Sequence, residues 1–137
     1  KIDPIKWQET AQHITSPVTI LHGEDDKVAP LAQSELFVAQ LQAQGVPYAV
    51  YKAVRDGYGN PNLSPNHGAP CDKINPLPAN LKFFGISFEL NALDYRYYFA
   101  GLDAVMAGYG DAPLPFDMGA WSNGRAVKLP ELYLQSP

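Results

Sequence analysis

In the first half of the chain, two short apolar runs flank a stretch with helical periodicity. Val18 to Leu21 is an apolar, β-branched run introduced by Pro17, as expected of a strand buried on both faces. Leu31 to Gln44 contains no Pro or Gly and is rich in Ala, Leu, Gln and Glu, which predicts a helix ending at Gly45. Val46 to Val54 predicts a second buried strand. Strand, helix and strand joined by short connections are typical of a βαβ unit, so we predict a parallel strand pair and an α/β fold.

Weaker patterns predict further elements on either side of this unit. Residues Trp7 to His13 predict a short helix before the first strand, and Leu93 to Ala107 predict a helix in the second half of the chain. In the second helix one apolar face recurs at helical spacing, formed by Leu93, Tyr97, Ala100 and Ala104. Near the end of the chain, Asn123-Gly124 predicts a tight turn, as in a hairpin.

Composition excludes several classes of function. The 137 residues suit one small domain, and 46% hydrophobic with 18% charged residues is too apolar for a disordered chain. The net charge is −4 and there is no basic run, which excludes a nucleic-acid-binding role. No apolar stretch approaches the ~18 residues that a membrane span requires. The 13 prolines and 11 glycines indicate long, defined loops.

The longest of these loops follows the second predicted strand. Gly57 to Asn80 holds five prolines, three glycines and five asparagines, and its only charged residues are Asp72 and Lys73. Loops of this length in compact domains usually carry a function or an accessory element. We therefore searched this loop for residues able to complete a site.

The segment Pro17-Val-Thr-Ile-Leu-His-Gly-Glu-Asp-Asp-Lys-Val-Ala-Pro30 resembles the part of the α/β-hydrolase superfamily that supplies the catalytic acid. The closest similarity is to the branch of prolyl oligopeptidase-like enzymes and secreted esterases or aminopeptidases. It extends over Asp3 to Tyr58 and implies that Asp25 is the acid of a Ser-His-Asp triad. In open α/β sheets, sites form beyond the carboxyl ends of the strands, which suits this position. The alternative is that Asp25 and Asp26 are solvated turn residues that cap a helix.

The same resemblance implies a catalytic histidine in the loop after the last strand. At the expected register the sequence has Tyr58, between two glycines, and nine residues later comes His67, within Asn-His-Gly. We expect the loop to fold back over the strand ends so that His67 hydrogen-bonds Asp25, with Tyr58 lining the site. The alternative is that His67 is an ordinary histidine of a surface loop.

The remaining histidines and the cysteine are weaker candidates. His22 is expected to line the strand end, and His13 to lie on a helix surface. The three histidines show no metal-ligand spacing, so neither a metal nor a cofactor is expected. Cys71 lies four residues from His67, but the acid–histidine order leaves no role for a cysteine nucleophile. We expect a buried thiol, or one paired outside this chain.

The sequence contains no Gly-x-Ser-x-Gly nucleophile motif, and the nearest string, Gly85-Ile-Ser87, lacks the second glycine. Because the serine precedes the acid and the histidine in this superfamily, the expected fold class is α/β, with residues 1–137 as the C-terminal part of an α/β-hydrolase sheet. The expected partner is the N-terminal part carrying the serine, and the substrate a small ester or peptide.

Two other interpretations remain open for the sequence as a whole. One is a catalytically inactive hydrolase relative acting as a binding protein, and the other is an unrelated α/β protein such as a nucleotide-binding domain. The second lacks a phosphate-binding glycine loop. The high content of Pro, Asn, Gly and Tyr suits a secreted or extracytoplasmic hydrolase without establishing that location.

Overall fold

The computed structural model describes residues 11–70, 90–108 and 113–137. In chain order these contain strand β1 (Val18–Gly23), helix α1 (Leu31–Ala43), strand β2 (Tyr48–Ala53), a second helix α2 and strand β3 (Glu131–Gln135). Helix α2 consists of a π-helical segment, Asp94–Phe99, that continues as an α-helical segment, Ala100–Met106.

The three strands form one mixed sheet in the order β1-β2-β3. β1 and β2 are parallel, with Val18 opposite Tyr48 and Gly23 opposite Ala53. The predicted parallel pair is therefore confirmed. β3 runs antiparallel to β2, with an irregularity in register between Val50 and Tyr51. The architecture is α/β in a general sense: a small three-stranded sheet accompanied by two helices.

β2 is buried on both of its faces, which explains why its sequence is almost continuously apolar. Tyr48 and Val50 belong to a core cluster with Val38 and Leu41 of α1. The alternate residues of β2 belong to a larger cluster on the opposite face, with α2 and the C-terminal segment; its members include Ala49, Tyr51, Ala53, Leu93, Tyr97, Leu114, Met118 and Val127. The sheet is thus a middle layer between α1 and α2.

The end of α1 agrees with the sequence prediction. Gly45 has φ +69°, a left-handed conformation that glycine adopts without steric penalty. Its N–H donates to the carbonyl of Gln42, and the N–H of Val46 donates to that of Leu41. This pattern is a Schellman motif, and it turns the chain from the helix directly into β2.

Helix α2 differs in geometry from the regular helix that we predicted over Leu93–Ala107. Its first turns are π-helical, and they place the fully buried Tyr97 against the sheet. The Tyr97 hydroxyl accepts a hydrogen bond from the backbone N–H of His22 (2.9 Å) and lies 3.0 Å from the carbonyl oxygen of His22 and 2.7 Å from that of Tyr51. Burial raises the pKa of this hydroxyl, so its proton stays available to these carbonyls. Tyr97 therefore fixes α2 to the carboxyl-terminal half of β1.

The other sequence predictions have mixed outcomes. The helix predicted over Trp7–His13 lies mostly outside the described residues. The Asn123-Gly124 turn is present: Gly124 N–H donates to the Trp121 carbonyl, and an isolated bridge joins Ala120 to Ala126. We did not predict β3, because most of its residues are exposed and its alternation of polar and apolar residues is short.

Candidate functional site

Two loops meet at the edge of the sheet where the parallel strands β1 and β2 end. The first follows β1, and the second is the start of the long loop after β2, of which residues 57–70 are described. The N–H of Glu24 donates to the Ala53 carbonyl, and the N–H of Asp25 donates to the Pro65 carbonyl at 3.2 Å. A Cβ at Gly23 would lie 2.0 Å from the Pro65 carbonyl oxygen, so only glycine allows this approach. The loop thus folds back over the strand ends, as we expected.

Asp26 is held by its own turn. Its Oδ1 accepts hydrogen bonds from the backbone N–H groups of Val28 (2.9 Å) and Ala29 (2.8 Å), and its side chain is 13% exposed. Backbone donors of this kind fix a carboxylate without any long side chain having to be ordered. The second oxygen, Oδ2, is thereby presented to the neighbouring loop.

His67 contacts that second oxygen. Its Nδ1 lies 2.9 Å from Oδ2 of Asp26, and the side chain is 46% exposed. An ionised carboxylate can only accept, so Nδ1 carries the proton, and the neutral imidazole then has its lone pair on Nε2. Among the described residues Nε2 has no hydrogen-bond partner. We call Asp26 and His67 the dyad. His67 can accept a proton at Nε2 while Asp26 stabilises the resulting cation.

This pairing corrects our expectation that His67 hydrogen-bonds Asp25. Both oxygens of Asp25 contact other residues: Oδ1 lies 2.9 Å from Nη2 of Arg55, and Oδ2 accepts a 2.7 Å hydrogen bond from the Ser64 hydroxyl. The hydrogen bond to Asp25 raises the pKa of the Arg55 guanidinium, which stays charged. Asp25 thus braces the loop while its neighbour Asp26 contacts the imidazole, because adjacent residues of a tight turn point in different directions.

His22 lies close to the dyad but differs from His67 in its surroundings. It is 8% exposed and its Nδ1 lies 3.2 Å from the Ser34 hydroxyl. Its Nε2 has no hydrogen-bond partner among the residues that the structure describes. Burial lowers the pKa of His22, the nearby Asp26 opposes this shift and His67 adds to it, so the imidazole is held neutral. His22 lies at the end of β1, as we expected. It also borders a shallow hollow of about 260 Å³, whose other lining residues are Ile20, Ala29, Gln33, Ser34 and Phe37.

Tyr58, which we expected to line the site, has its described contacts elsewhere. The Arg125 guanidinium lies 4.2 Å from the centre of its ring, and the Asn123 amide donates to its hydroxyl. Beneath this contact the carboxylate of Asp56, 2% exposed, accepts from the N–H groups of Tyr58 and Lys128 and from the Trp121 indole; the three distances are 3.1, 3.1 and 3.2 Å. These residues join the start of the loop to the C-terminal turn.

Other candidates from the sequence have simpler outcomes. His13 is exposed, as expected for a surface residue, and Cys71 and Ser87 lie outside the described residues. Across residues 11–70, 90–108 and 113–137, no group of three or more His, Cys, Asp or Glu side chains is arranged to hold a metal ion. In the same part of the chain no helix has the length and apolarity to cross a membrane.

The sequence analysis missed the contacts of Asp26, Arg55 and Ser64, and these residues differ in whether the sequence signals their contacts. Asp26 had a partial local signal, because an Asp two and three residues before backbone N–H groups favours the turn that Asp26 makes with Val28 and Ala29. That signal does not indicate which of the two carboxylates faces His67. Arg55 and Ser64 had no such signal, since their contacts with Asp25 depend on the path of the loop.

No family model, curated protein or solved structure matches the chain.

Proposed function

We propose that this chain supplies the carboxylate–histidine dyad of a serine hydrolase acting on ester or amide bonds, with Asp26 as the acid and His67 as the general base. The observation that carries the proposal is the 2.9 Å contact between Nδ1 of His67 and Oδ2 of Asp26. It joins two loops at the carboxyl ends of parallel strands, where sites of α/β sheets form. The chain would be the C-terminal part of an α/β-hydrolase domain.

In the proposed reaction a serine hydroxyl attacks the substrate carbonyl and transfers its proton to Nε2 of His67. Asp26 stabilises the imidazolium, which then gives the proton to the leaving alcohol or amine as the tetrahedral intermediate collapses. Water attacks the acyl-enzyme while His67 again accepts the proton, and His67 returns this proton to the serine oxygen as the acid product leaves. The exposure of His67 leaves room for the serine and the substrate on its Nε2 side.

The serine is proposed to come from the N-terminal part of the same hydrolase. The open edge of β1 supports this, because in the described sheet β1 pairs only with β2. By the alternation of a parallel pair, the backbone groups of Thr19 and Leu21 point away from β2, and no other strand in the described part of the chain pairs with them. The hollow beside Ile20 and Phe37 lies along this edge and would be covered by the same added layer.

The test uses the full-length protein with a 4-nitrophenyl ester, a chromogenic amide and a fluorophosphonate probe that labels activated serines. We expect ester or amide turnover and covalent labelling in the wild type, and loss of both in His67→Gln. The matched control is His13→Gln, an exposed histidine away from the dyad, which should behave as the wild type. If the wild type neither turns over the substrates nor reacts with the probe, the proposal is wrong and an inactive, binding relative is favoured.

A further inference from the structure

We infer that Asp25, with Ser64 and Arg55, is a positioning residue that sets where His67 stands relative to Asp26. This inference rests on the proposed function, since it concerns the same dyad. It assigns different tasks to Asp25 and Asp26, two adjacent side chains of the same chemical type.

The geometry separates the two tasks. Asp26 contacts the imidazole directly, whereas both oxygens of Asp25 are taken by Ser64 and Arg55. Ser64 lies three residues before His67 on the same loop, and Arg55 lies just after the end of β2. Asp25 therefore ties the loop that carries the base to the strand from which that loop departs.

We call the contacts of Asp25 with Ser64 and Arg55 the brace, and further hydrogen bonds make it rigid. The N–H of Asp25 donates to the Pro65 carbonyl, and the N–H of Arg55 donates to Oε1 of Glu24. The Asp25 side chain is only 18% exposed, so its bonds compete with water less than those of a surface pair do. Between Ser64 and His67, Asn66 N–H donates to the Ser64 carbonyl and the Asn66 side-chain oxygen accepts from Gly68 N–H. A displacement at Ser64 is thus transmitted to His67 through a short, hydrogen-bonded turn.

The consequence concerns turnover more than substrate binding. A general base works only when the accepting atom stands within hydrogen-bond reach of the proton it takes, and a misplacement of about 1 Å can cost as much as 100-fold in rate. Removing the brace should leave the His67–Asp26 bond possible but no longer fixed in one orientation.

The test compares Asp25→Asn, Ser64→Ala and the double variant in the full-length protein, with Ser64→Thr as the conservative variant and Asp103→Asn as the control. Asp103 is an exposed acid on α2, far along the chain from both loops. We expect Asp25→Asn and Ser64→Ala each to lower kcat by about 10 to 100-fold with KM little changed. The double variant should lose less than the sum of the two single variants, because both act on the same Ser64–Asp25 contact. Ser64→Thr should retain most of the activity.

A spectroscopic readout distinguishes positioning from general destabilisation. In proton NMR spectra of histidine-labelled protein, the Nδ1–H signal of His67 should be sharp in the wild type and in Asp103→Asn, but broadened by exchange with water in Asp25→Asn. An unchanged signal and unchanged kcat in Asp25→Asn would overturn the inference. The Asp26–His67 contact is tested separately by Asp26→Asn. If this variant leaves the His67 Nδ1–H signal unaltered, the proposed function is wrong.

Discussion

Nδ1 of His67 and Oδ2 of Asp26 lie 2.9 Å apart although 41 positions separate the two residues in the sequence. Each residue belongs to a loop that leaves a different strand of a parallel pair, and the pairing of β1 with β2 brings the loop starts together. The backbone turn of Asp26 fixes the carboxylate, and the brace at Asp25 fixes the loop opposite. The dyad is therefore a product of the sheet topology and not of a local motif.

The buried His22 should make stability depend on pH. Its pKa is lowered in the folded state from the ordinary value of 6.5, so the unfolded chain binds the proton more readily. The contribution of neutral His22 is fully present above pH 6.5 and is lost as the pH falls through the lower folded pKa. We expect the free energy of unfolding of the wild type to fall more steeply between pH 7 and 5 than that of His22→Leu.

Denaturant unfolding at several pH values measures this difference. Gln33→Leu borders the same hollow without removing a titrating group, so its curve should run parallel to that of the wild type. Parallel curves for the wild type and His22→Leu would contradict the neutral, buried state of His22.

Asp56 is expected to be a strong contributor to stability. Its carboxylate accepts from Tyr58, Trp121 and Lys128, and Asp56→Ala would leave these donors without their acceptor. We expect a loss of about 3 kcal/mol in the free energy of unfolding, at roughly 1 kcal/mol or more for each bond. Asp56→Asn keeps one acceptor oxygen and should lose less.

The contribution of Asp56 to the free energy of unfolding should also be lost in acid. Burial alone would raise the pKa of Asp56, but the hydrogen bonds from Tyr58, Lys128 and Trp121, with the nearby Arg125, outweigh it and lower the pKa below 3.8. The stability is therefore present above pH 3.8 and lost as the pH falls through the folded value. The difference in free energy of unfolding between the wild type and Asp56→Ala should shrink in that window; an equal difference at pH 7 and pH 2 would contradict this assignment.

Two glycines offer a matched pair that separates stability from site geometry. Gly45→Ala meets no atom within 4 Å but must adopt φ +69°, so it should destabilise the fold by about 1–2 kcal/mol with kcat unchanged. Gly23→Ala would place its Cβ against the Pro65 carbonyl and push the loop that carries His67. We expect the latter variant to lose activity as well as stability, measured by kcat on the ester and by denaturant unfolding. Equal activity of the two folded variants would show that the Gly23–Pro65 contact does not position the loop.

The 137-residue chain expressed alone should be inactive and prone to aggregate. The sequence contains no candidate serine motif, and within the described sheet the outer edge of β1 pairs with no other strand, which is the kind of edge that other chains bind. Thr19→Pro removes an outward N–H from this edge and should reduce aggregation, measured by light scattering, without restoring activity. Turnover of 4-nitrophenyl esters by the 137-residue chain would contradict the proposed origin of the nucleophile.

How far the sequence predicted the structure depended on the range of the interactions involved. The β1–α1–β2 unit and the Gly45 cap were predictable because apolar periodicity and backbone preference act locally. β3 was missed because a mostly exposed edge strand carries little hydrophobic signal. At the candidate site, the return of the loop over the strand ends was predicted, but the carboxylate that His67 contacts is Asp26 and not the expected Asp25. Which of two adjacent carboxylates faces the imidazole depends on side-chain hydrogen bonds made by residues about 40 positions away.

The comparison of Asp26→Asn with Asp25→Asn in the full-length protein tests the central claim most directly. Because Asn keeps the shape of the side chain but loses its charge, the fold should persist in both variants, checked by circular dichroism. We predict that Asp26→Asn lowers kcat for ester hydrolysis by about 10⁴-fold, the order found for comparable triads, while Asp25→Asn loses no more than about 100-fold. A fully active Asp26→Asn beside an inactive Asp25→Asn would contradict the Asp26–His67 dyad and restore Asp25 as the acid.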